Sequence, residues 1–357
     1  MSELDELRAR VRQAGAEGRA VRIRGGGTKD FYGQSPIGEP LDTTGHRGIV
    51  AFEPTELVIT ARCGTPLAEI EAALAQERQM LAFEPPAFGA PATVGGVVAA
   101  GLSGPGRAAA GAARDFVLGA ALIDASGELN RFGGQVMKNV AGYDVSRLLC
   151  GSLGILGVIA EVSLKVLPRP AAEATLSVTM SEADALRHLN EWAGQPLPIT
   201  ASAWHASTLR LRFSGAGAAV DAARTRFVHT YGATEVGPAQ AQAWWAAVRE
   251  QTDEFFQGDE PLWRLSLPSV APPLVLAGQQ LIEWGGALRW LRSAAPAAEI
   301  RGAARRVGGS ATLFRGGDKS LGVFEPLAAP IAQLHLRLKR EFDPKGIFNP
   351  GRMYPEL

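Results

Sequence analysis

The sequence predicts an α+β protein of two domains, and three observations lead to this prediction. At 357 residues the chain is longer than one hydrophobic core usually serves, which favours two domains. Two apolar runs, 116–124 and 128–132, flank the turn sequence Ala-Ser-Gly and predict an antiparallel hairpin in the first part. Beyond residue 170 the glycines thin out, and strand and helix patterns alternate.

The spacing of apolar residues predicts helices and strands in the first part of the chain. The predicted elements are a helix over 3–17, strands over 20–24, near 58–61 and over 158–166, and a helix with Thr65 as N-cap and Pro66 at its first position. In the second of these helices, Leu67, Ile70 and Leu74 share one face. The hairpin of residues 116–132 completes this part.

The second part follows the linker-like sequence Pro168-Arg-Pro170. The predicted elements are a helix over 182–192 capped by Ser181, a strand over 208–213, a helix over 218–228, and a C-terminal helix with Leu327, Ile331, Leu334 and Leu338 on one face. All seven tryptophans lie in this part. Such a cluster is more often core or interface than a cofactor site.

Charge and cysteine content exclude several classes of function. The 36 basic residues balance 36 acidic ones, so a nucleic-acid partner is not expected. The two cysteines, Cys63 and Cys150, lie far apart, which excludes a cysteine zinc site or an iron–sulfur cluster held by this chain alone. Five scattered histidines form no metal signature. The first residues are charged and lack the apolar core of a signal peptide, so we expect a soluble, cytoplasmic protein.

Glycine is the unusual feature, with 42 residues clustered mostly in the first half. The run Gly25-Gly-Gly-Thr-Lys29 follows a predicted strand, so its backbone N–H groups can converge on an anion, with Arg24 and Lys29 adding charge. The run matches neither the Walker A pattern nor the dinucleotide-binding GxGxxG. The sequence Ser214-Gly-Ala-Gly217 resembles half of GxGxxG, but the simpler interpretation is a turn in which Ser214 caps the next helix.

Further glycine loops occur at Thr93-Val-Gly-Gly96, Gly101-Leu-Ser-Gly104 and Gly151–Gly157. Each one alone is explained by a tight turn. Several within one block of the chain instead favour a long cofactor with a pyrophosphate at its centre, held by separate loops.

These pieces, in this order, resemble the flavin-binding domain of the p-cresol methylhydroxylase and vanillyl-alcohol oxidase type. The matching segments are 24–29, 93–96, 114–119, 138–144, 151–159 and 342–351. Segments 46–49, 54–62, 136–144, 263–268, 284–291 and 348–354 are similar to the smaller FAD-binding subunit of bacterial glycolate oxidase. This second resemblance extends over nearly the whole chain.

The resemblance implies the division of the chain and the cofactor site. It implies a two-part FAD-binding domain over 1–170, a smaller, truncated ferredoxin-like domain over 171–325 that is the expected subunit interface, and a segment 326–357 that closes back on the FAD domain. The implied cofactor-binding residues are Arg24, Gly25, Gly26, Gly27, Thr28, Lys29, Thr93, Gly95, Gly96, Ser103, Gly104, Arg114, Asp115, Gly157, Val158, Ile159 and Asn349. Lys138 and Tyr143 are further candidates for the cofactor environment.

Three departures from the family pattern refine these expectations. Thr28 stands where covalent members carry histidine, so we expect FAD to be bound non-covalently. Ser310 stands where the subunit type has a histidine, and the chain is short for a complete 2-hydroxy-acid dehydrogenase. No residue can therefore be named as catalytic: His205 and His335 are weak candidates for a base, and Arg264 and Arg315 for binding a carboxylate.

The resemblance implies an FAD-dependent oxidoreductase subunit of a complex that oxidises glycolate to glyoxylate. The implied partners are a larger FAD-containing glycolate oxidase subunit and an iron–sulfur subunit, with at most peripheral attachment to a membrane through them. Two alternatives stay open: a mainly structural subunit, or a stand-alone FAD-dependent dehydrogenase. The sequence does not distinguish glycolate from D-lactate as the substrate. It also does not identify the final electron acceptor or the stoichiometry of the complex.

Overall fold

The computed structural model describes residues 2–134 and 144–357, and these residues form two compact units. The first unit contains residues up to Leu102, Ala112–Pro168 and Pro326–Leu357, and the second contains Ser103–Gly111 and Arg169–Glu325. The short segment Ser103–Gly111 thus leaves the first unit for the second. Lys138 and Tyr143 lie outside the described residues.

The first unit is built on a five-stranded antiparallel sheet. Its elements are α1 (Glu3–Glu17), β1 (Val21–Arg24), β2 (Glu39–Asp42), β3 (Ile49–Glu53), β4 (Val58–Arg62), α2 (Leu67–Gln76), β5 (Gln79–Met80), α3 (Val94–Ala100), β6 (Val117–Ile123), β7 (Leu129–Gly133), α5 (Val145–Leu149), β8 (Val158–Lys165), β9 (Leu167–Pro168) and α10 (Ala329–Phe342). The sheet order is β3-β4-β8-β6-β7, with the predicted hairpin as β6 and β7. The strands β1 and β2 form a separate parallel pair.

One hydrophobic core joins the start and the end of the chain in this unit. Leu7 and Val11 of α1 pack with Ile123 and Val158 of the sheet and with Phe348 from the C-terminal segment. All five side chains are at least 95% buried. The C-terminal segment is therefore an integral part of the first unit.

The second unit contains one eight-stranded antiparallel sheet. Its elements are α4 (Arg107–Ala110), β10 (Ala172–Thr179), α6 (Glu182–Ala193), β11 (Ile199–His205), β12 (Thr208–Gly215), α7 (Gly217–Tyr231), β13 (Thr234–Val236), α8 (Pro238–Glu250), β14 (Leu262–Ser266), β15 (Gln279–Glu283), β16 (Leu288–Arg292), α9 (Ala297–Arg306) and β17 (Ser310–Arg315). The strand order is β13-β10-β12-β11-β15-β16-β14-β17.

This sheet consists of two halves with the same connectivity. Residues 172–236 follow the order β-α-β-β-α-β of a ferredoxin-like unit. Residues 262–315 repeat the strand arrangement, but residues 267–278 hold no helix in place of the first crossover helix. The halves join edge to edge through β11 and β15. The sequence analysis predicted one such unit and did not detect this duplication.

Two local predictions, both of helix caps, were wrong. Thr65 does not cap α2: its hydroxyl binds the carbonyl of Arg62, and Pro66 is the N-cap. Ser214 does not cap α7, because its hydroxyl binds Glu173 and Ala216 is the N-cap. The predicted C-terminal helix is present as α10, and two residues of its apolar face are exposed, Ile331 by 46% and Leu334 by 52%.

Candidate functional site

Two adjoining cavities in the first unit contain most of the predicted cofactor residues. They hold about 530 and 400 Å³ of space outside the protein atoms, including space that is open to solvent. Both are lined by Ile23, Gly25, Gly96, Ala99, Leu153 and Asn349. Because they share these residues, we describe them together as the glycine-loop cavity.

The loop after β1 presents backbone donors along this cavity. Within the described chain, the N–H groups of Gly25, Gly26, Gly27 and Thr28 have no hydrogen-bond acceptor. These residues all line the cavity. Four adjacent N–H groups without acceptors are a site for an anion, because buried or half-buried donors need a partner.

The three glycines of this loop are required for different reasons. A Cβ on Gly26 would lie 1.5 Å from the carbonyl oxygen of Pro91, and one on Gly25 would lie 2.3 Å from Oγ1 of Thr93. Gly27 has φ +73°, which disfavours other residues. Close packing thus explains Gly25 and Gly26, whereas backbone conformation explains Gly27.

The two cations of the loop already have partners inside the protein. Arg24 Nε donates to Asp30 Oδ2 at 2.9 Å, and both side chains are half-exposed. Lys29 Nζ donates to the carbonyl of Ala87 at 3.1 Å and to Oγ1 of Thr28 at 3.3 Å. An anion in the cavity would therefore be held mainly by the backbone, not by these two charges.

The second loop begins α3 and lines both cavities through Gly96. Thr93 caps this helix by accepting from the Gly96 N–H at 3.3 Å, and Gly95 donates to the carbonyl of Cys63. These N–H groups are used within the protein, so the sequence-based expectation that this loop donates to a ligand is not supported. Among the described residues, and apart from the chain neighbours of Gly96 and its own helix backbone, only Thr93 Oγ1 lies within 4 Å of the Cβ position, at 3.3 Å. Gly96 therefore leaves space for a ligand.

The third loop and the C-terminal segment meet at Asn349. Its Oδ1 accepts from the Ile23 N–H at 2.7 Å, and its Nδ2 donates to the carbonyl of Leu153 at 2.6 Å. Gly157 and Ile159 line the same cavity from the end of that loop and the start of β8. Asn349 thus connects three segments of the cavity wall.

Arg352 is a residue of the site that the sequence analysis did not select. Its side chain is buried, lines the cavity, and donates to the carbonyls of Gln34, Asp30 and Lys29. Burial lowers the pKa of its guanidinium group below the usual range. Its position directly after Asn-Pro-Gly was the available signal. Its hydrogen bonds to the carbonyls of Lys29 and Asp30 stabilise the end of the glycine loop.

Cys63 also lines the cavity and was not predicted there. Burial raises the pKa of its thiol to about 12, so the thiol stays protonated near neutral pH and is a poor nucleophile. The other lining residues outside the prediction are Ile23, Asp30, Thr43, Ala99, Ala100, Leu153 and Gly154. Ala99 follows Gly95 and Gly96 on one face of α3, and Gly154 lies in a glycine loop, whereas Cys63 gave no sequence signal.

Five predicted cofactor residues lie elsewhere. Val158 is fully buried in the core beside α1, and Ser103 and Gly104 belong to the second unit, where the carbonyl of Gly104 accepts from Nε1 of Trp284. Arg114 and Asp115 form a 3-10 helix and line neither part of the cavity. Their roles remain predictions.

Trp284 and Trp290, two of the seven tryptophans in the expected interface domain, are buried inside the second unit. Each is 6% exposed. Nε1 of Trp284 donates to Gly104, and Nε1 of Trp290 donates to the carboxylate of Glu283 at 2.8 Å. Arg107 and Arg264 stack on the Trp284 ring at 4.4 and 5.3 Å from its centroid. These rings stabilise their own unit.

Comparison of the sequence with known proteins agrees with a cofactor site in the first unit. Residues 1–133 match the family model described as FAD binding domain. The chain is 50% identical to glycolate oxidase subunit GlcE of Escherichia coli (strain K12) over 351 residues, which is 98% of this chain and 97% of the relative. This chain belongs to the GlcE family of glycolate oxidase subunits. The resemblance identified from the sequence motifs is thereby confirmed.

Other relatives match a smaller share of the chain, or match its fold at low sequence identity. Glycolate oxidase subunit GlcD of Bacillus subtilis (strain 168) is 38% identical over 93 residues, which is 26% of this chain and 20% of the relative. A solved alkyldihydroxyacetonephosphate synthase superposes with a TM-score of 0.66 at 15% identity, covering 97% of this chain and 75% of its own. That likeness supports the α+β fold.

Two searches of the described residues gave negative results. In residues 2–134 and 144–357, no group of three or more histidine, cysteine or acidic side chains is arranged to hold a metal ion. Across the same residues, no helix combines the length and apolar character needed to cross a bilayer.

Proposed function

We propose that this chain is the non-covalently FAD-binding subunit of a complex that oxidises glycolate to glyoxylate. The observation that supports this most directly is the row of four backbone N–H groups without acceptors in a domain of the FAD-binding family, in a chain 50% identical to a GlcE subunit. In this proposal the loop Gly25–Thr28 receives the pyrophosphate of FAD. Asn349 and Arg352 hold the wall around it.

The cavity fits the pyrophosphate of FAD by its chemistry. A pyrophosphate needs several converging donors, which Gly25–Thr28 supply, and close approach without side chains, which Gly96 allows. Thr28 has no imidazole with which to bind a flavin covalently. The thiol of Cys63, with its pKa raised to about 12, is also unsuited to such a bond.

Onward transfer of the electrons requires other subunits of the complex. Oxidation of glycolate to glyoxylate removes two electrons and two protons, and bound FAD would supply the electron-accepting chemistry. The chain's two cysteines cannot ligate a cluster, so an iron–sulfur centre for onward transfer would come from another subunit. We propose the larger flavoprotein subunit and an iron–sulfur subunit as these partners.

The candidate bases considered from the sequence have structural contacts. Nδ1 of His205 lies 2.8 Å from the carbonyl of Gln280, and the ring packs against Phe255. His335 packs edge-on against Tyr354. We therefore assign no catalytic residue, and we expect the isolated chain to oxidise glycolate poorly.

Glycolate turnover by the isolated chain with an artificial electron acceptor tests this function. We expect little or no activity alone and recovery when the larger flavoprotein and the iron–sulfur subunit are added. A rate from the lone chain equal to that of the complex would establish a stand-alone dehydrogenase. Full activity of the complex without this chain's FAD would establish a structural subunit.

A further inference from the structure

A buried ion pair lies behind the glycine-loop cavity in the first unit. Lys339, near the end of α10, is 6% exposed, and Asp343, just after this helix, is 2% exposed. Their Nζ and Oδ2 atoms are 2.7 Å apart. Desolvation of buried charges costs free energy unless the charges are paired and hydrogen-bonded. The contacts of both side chains therefore decide whether this pair is stable.

All three protons of the Lys339 ammonium group have acceptors. Nζ donates to Oδ2 of Asp343 at 2.7 Å, to the carbonyl of Ile155 at 2.7 Å and to the carbonyl of Phe348 at 2.8 Å. An ammonium group has three donors, so its capacity is filled. A single side chain thereby joins α10 to the loop before β8 and to the C-terminal segment.

Asp343 fixes the turn that follows α10. Its carboxylate accepts from the N–H of Ile347 at 3.0 Å and from the N–H of Phe348 at 2.8 Å. Together with Lys339, these bonds hold Phe348 on both its N–H and its carbonyl side. The pair therefore determines where the next residue, Asn349, lies.

The segments held by this pair are walls of the cavity. Asn349 directly follows Phe348, and Leu153 lies two residues before Ile155; both line the cavity and bond to each other. Neither Lys339 nor Asp343 lines the cavity itself. The ion pair is thus one layer behind the surface that a ligand would touch.

We propose that Lys339 and Asp343 are positioning residues for FAD, which couple docking of the C-terminal segment to affinity for the cofactor. By holding Ile155 and Phe348, the pair sets the spacing between Leu153 and Asn349 that bound FAD requires. This inference rests on the proposed function, because it assumes that FAD occupies the glycine-loop cavity. Burial lowers the pKa of Lys339, and the nearby carboxylate opposes this shift.

A role in stability alone can be separated from a positioning role with two variants. Lys339→Met leaves a buried carboxylate without its cation, so it should lower both the stability of the apoprotein and FAD affinity. Lys339→Met with Asp343→Asn removes both charges, and we expect apoprotein stability above that of Lys339→Met. Recovery should be partial, because the amide keeps only one of the two oxygens that accept from Ile347 and Phe348. The carbonyls of Ile155 and Phe348 still lack their donor in this double variant.

The dissociation constant for FAD in the double variant is the deciding value. We expect it to stay raised by about tenfold or more over the wild-type value, while the thermal midpoint of the apoprotein recovers relative to Lys339→Met. A double variant that binds FAD like the wild type would overturn the positioning role. A wild-type chain that does not bind FAD would overturn the proposed function, and this inference with it.

Arg301 of the second unit provides a matched control. It is also a buried cation, 7% exposed, and it donates to the carbonyls of Leu321 at 3.0 Å and Gly322 at 2.6 Å. Arg301→Met should destabilise the protein without changing the dissociation constant for FAD. An equal loss of FAD affinity in this variant would show that any buried-cation defect has this effect, and would contradict the proposal.

A measurement on the wild-type chain keeps the proposal testable if the variants fail to fold. FAD should slow amide hydrogen exchange at Phe348 and Asn349, whose N–H groups bond to Asp343 and Val21. The amide of Leu313, bonded to Val323 in the second unit, is the reference. Slowing at the first two amides beyond that at Leu313 supports the coupling. Equal effects at all three contradict it.

Discussion

Gly96 shows at the scale of one residue how the protein leaves room for a ligand. In the described part of the chain, apart from its chain neighbours and its own helix backbone, only Thr93 Oγ1 lies within 4 Å of its Cβ position, and the residue lines both parts of the cavity. We predict that Gly96→Val keeps α3 folded, because valine is a better helix former than glycine. FAD affinity should fall by about tenfold or more, measured by titration with flavin fluorescence.

Gly217 is the matched control for this change. It begins α7 in the second unit, has no atom within 4 Å of its Cβ position, and does not have positive φ. Gly217→Val should leave FAD affinity unchanged. Equal affinity of the Gly96→Val variant and the wild type would place the cofactor elsewhere.

Lys29 gives a second prediction at this scale. Since its Nζ bonds to Ala87 and Thr28, and the backbone supplies the donors, Lys29→Ala should weaken FAD binding by less than about tenfold. Gly26→Val is not informative, because its Cβ would overlap Pro91 before any ligand is present. A loss of binding in Lys29→Ala as large as in Gly96→Val would mean that the lysine charge, not the loop backbone, dominates.

The lowered pKa of the buried His46 side chain should make the stability of the protein depend on pH. Burial, followed by the nearby Arg62, lowers the pKa of its imidazole, against the attraction of Glu161 and Glu3. The unfolded chain therefore binds its proton first as pH falls below about 6.5, so stability should decrease through that window. Chemical denaturation from neutral to acidic pH should show a steeper loss in the wild type than in His46→Gln. Parallel curves would contradict this.

At the scale of secondary-structure elements, local patterns predicted most helices and strands but misjudged their surroundings. The hairpin of β6 and β7 and the Ser181-capped helix α6 agree with the sequence patterns. In α10 the sequence shows an apolar stripe, yet the residue that is buried in this helix is Lys339. Only the tertiary contacts with Ile155 and Phe348 make burial of that lysine favourable, and no local pattern encodes them.

The tryptophans of the second unit lead to a prediction about elements. Trp284 and Trp290 are buried and hydrogen-bonded, so Trp290→Ala should cost about 3–5 kcal/mol of unfolding free energy. FAD content should stay unchanged in the folded fraction, as judged by denaturant unfolding and flavin absorbance. Loss of complex formation at unchanged stability would instead restore these rings as a subunit contact.

For the whole molecule, the sequence predicted the cofactor class better than it predicted the architecture. The glycine loops and the Asn-Pro-Gly segment are short motifs that can be recognised in the sequence without any knowledge of tertiary contacts. The joining of Ile23, Leu153 and Asn349 in one wall depends on a chain that leaves the first unit and returns. The duplicated sheet of the second unit likewise arises from strand pairing over long separations in sequence.

The most direct test of the proposed cofactor site is whether the isolated chain binds FAD in a saturable and reversible way. FAD should be titrated into the purified apoprotein, and the complex should then be denatured in acid. We predict saturation at one FAD per chain and recovery of the flavin in the supernatant. Absence of saturable binding, or flavin that stays with the precipitated protein, would contradict the account.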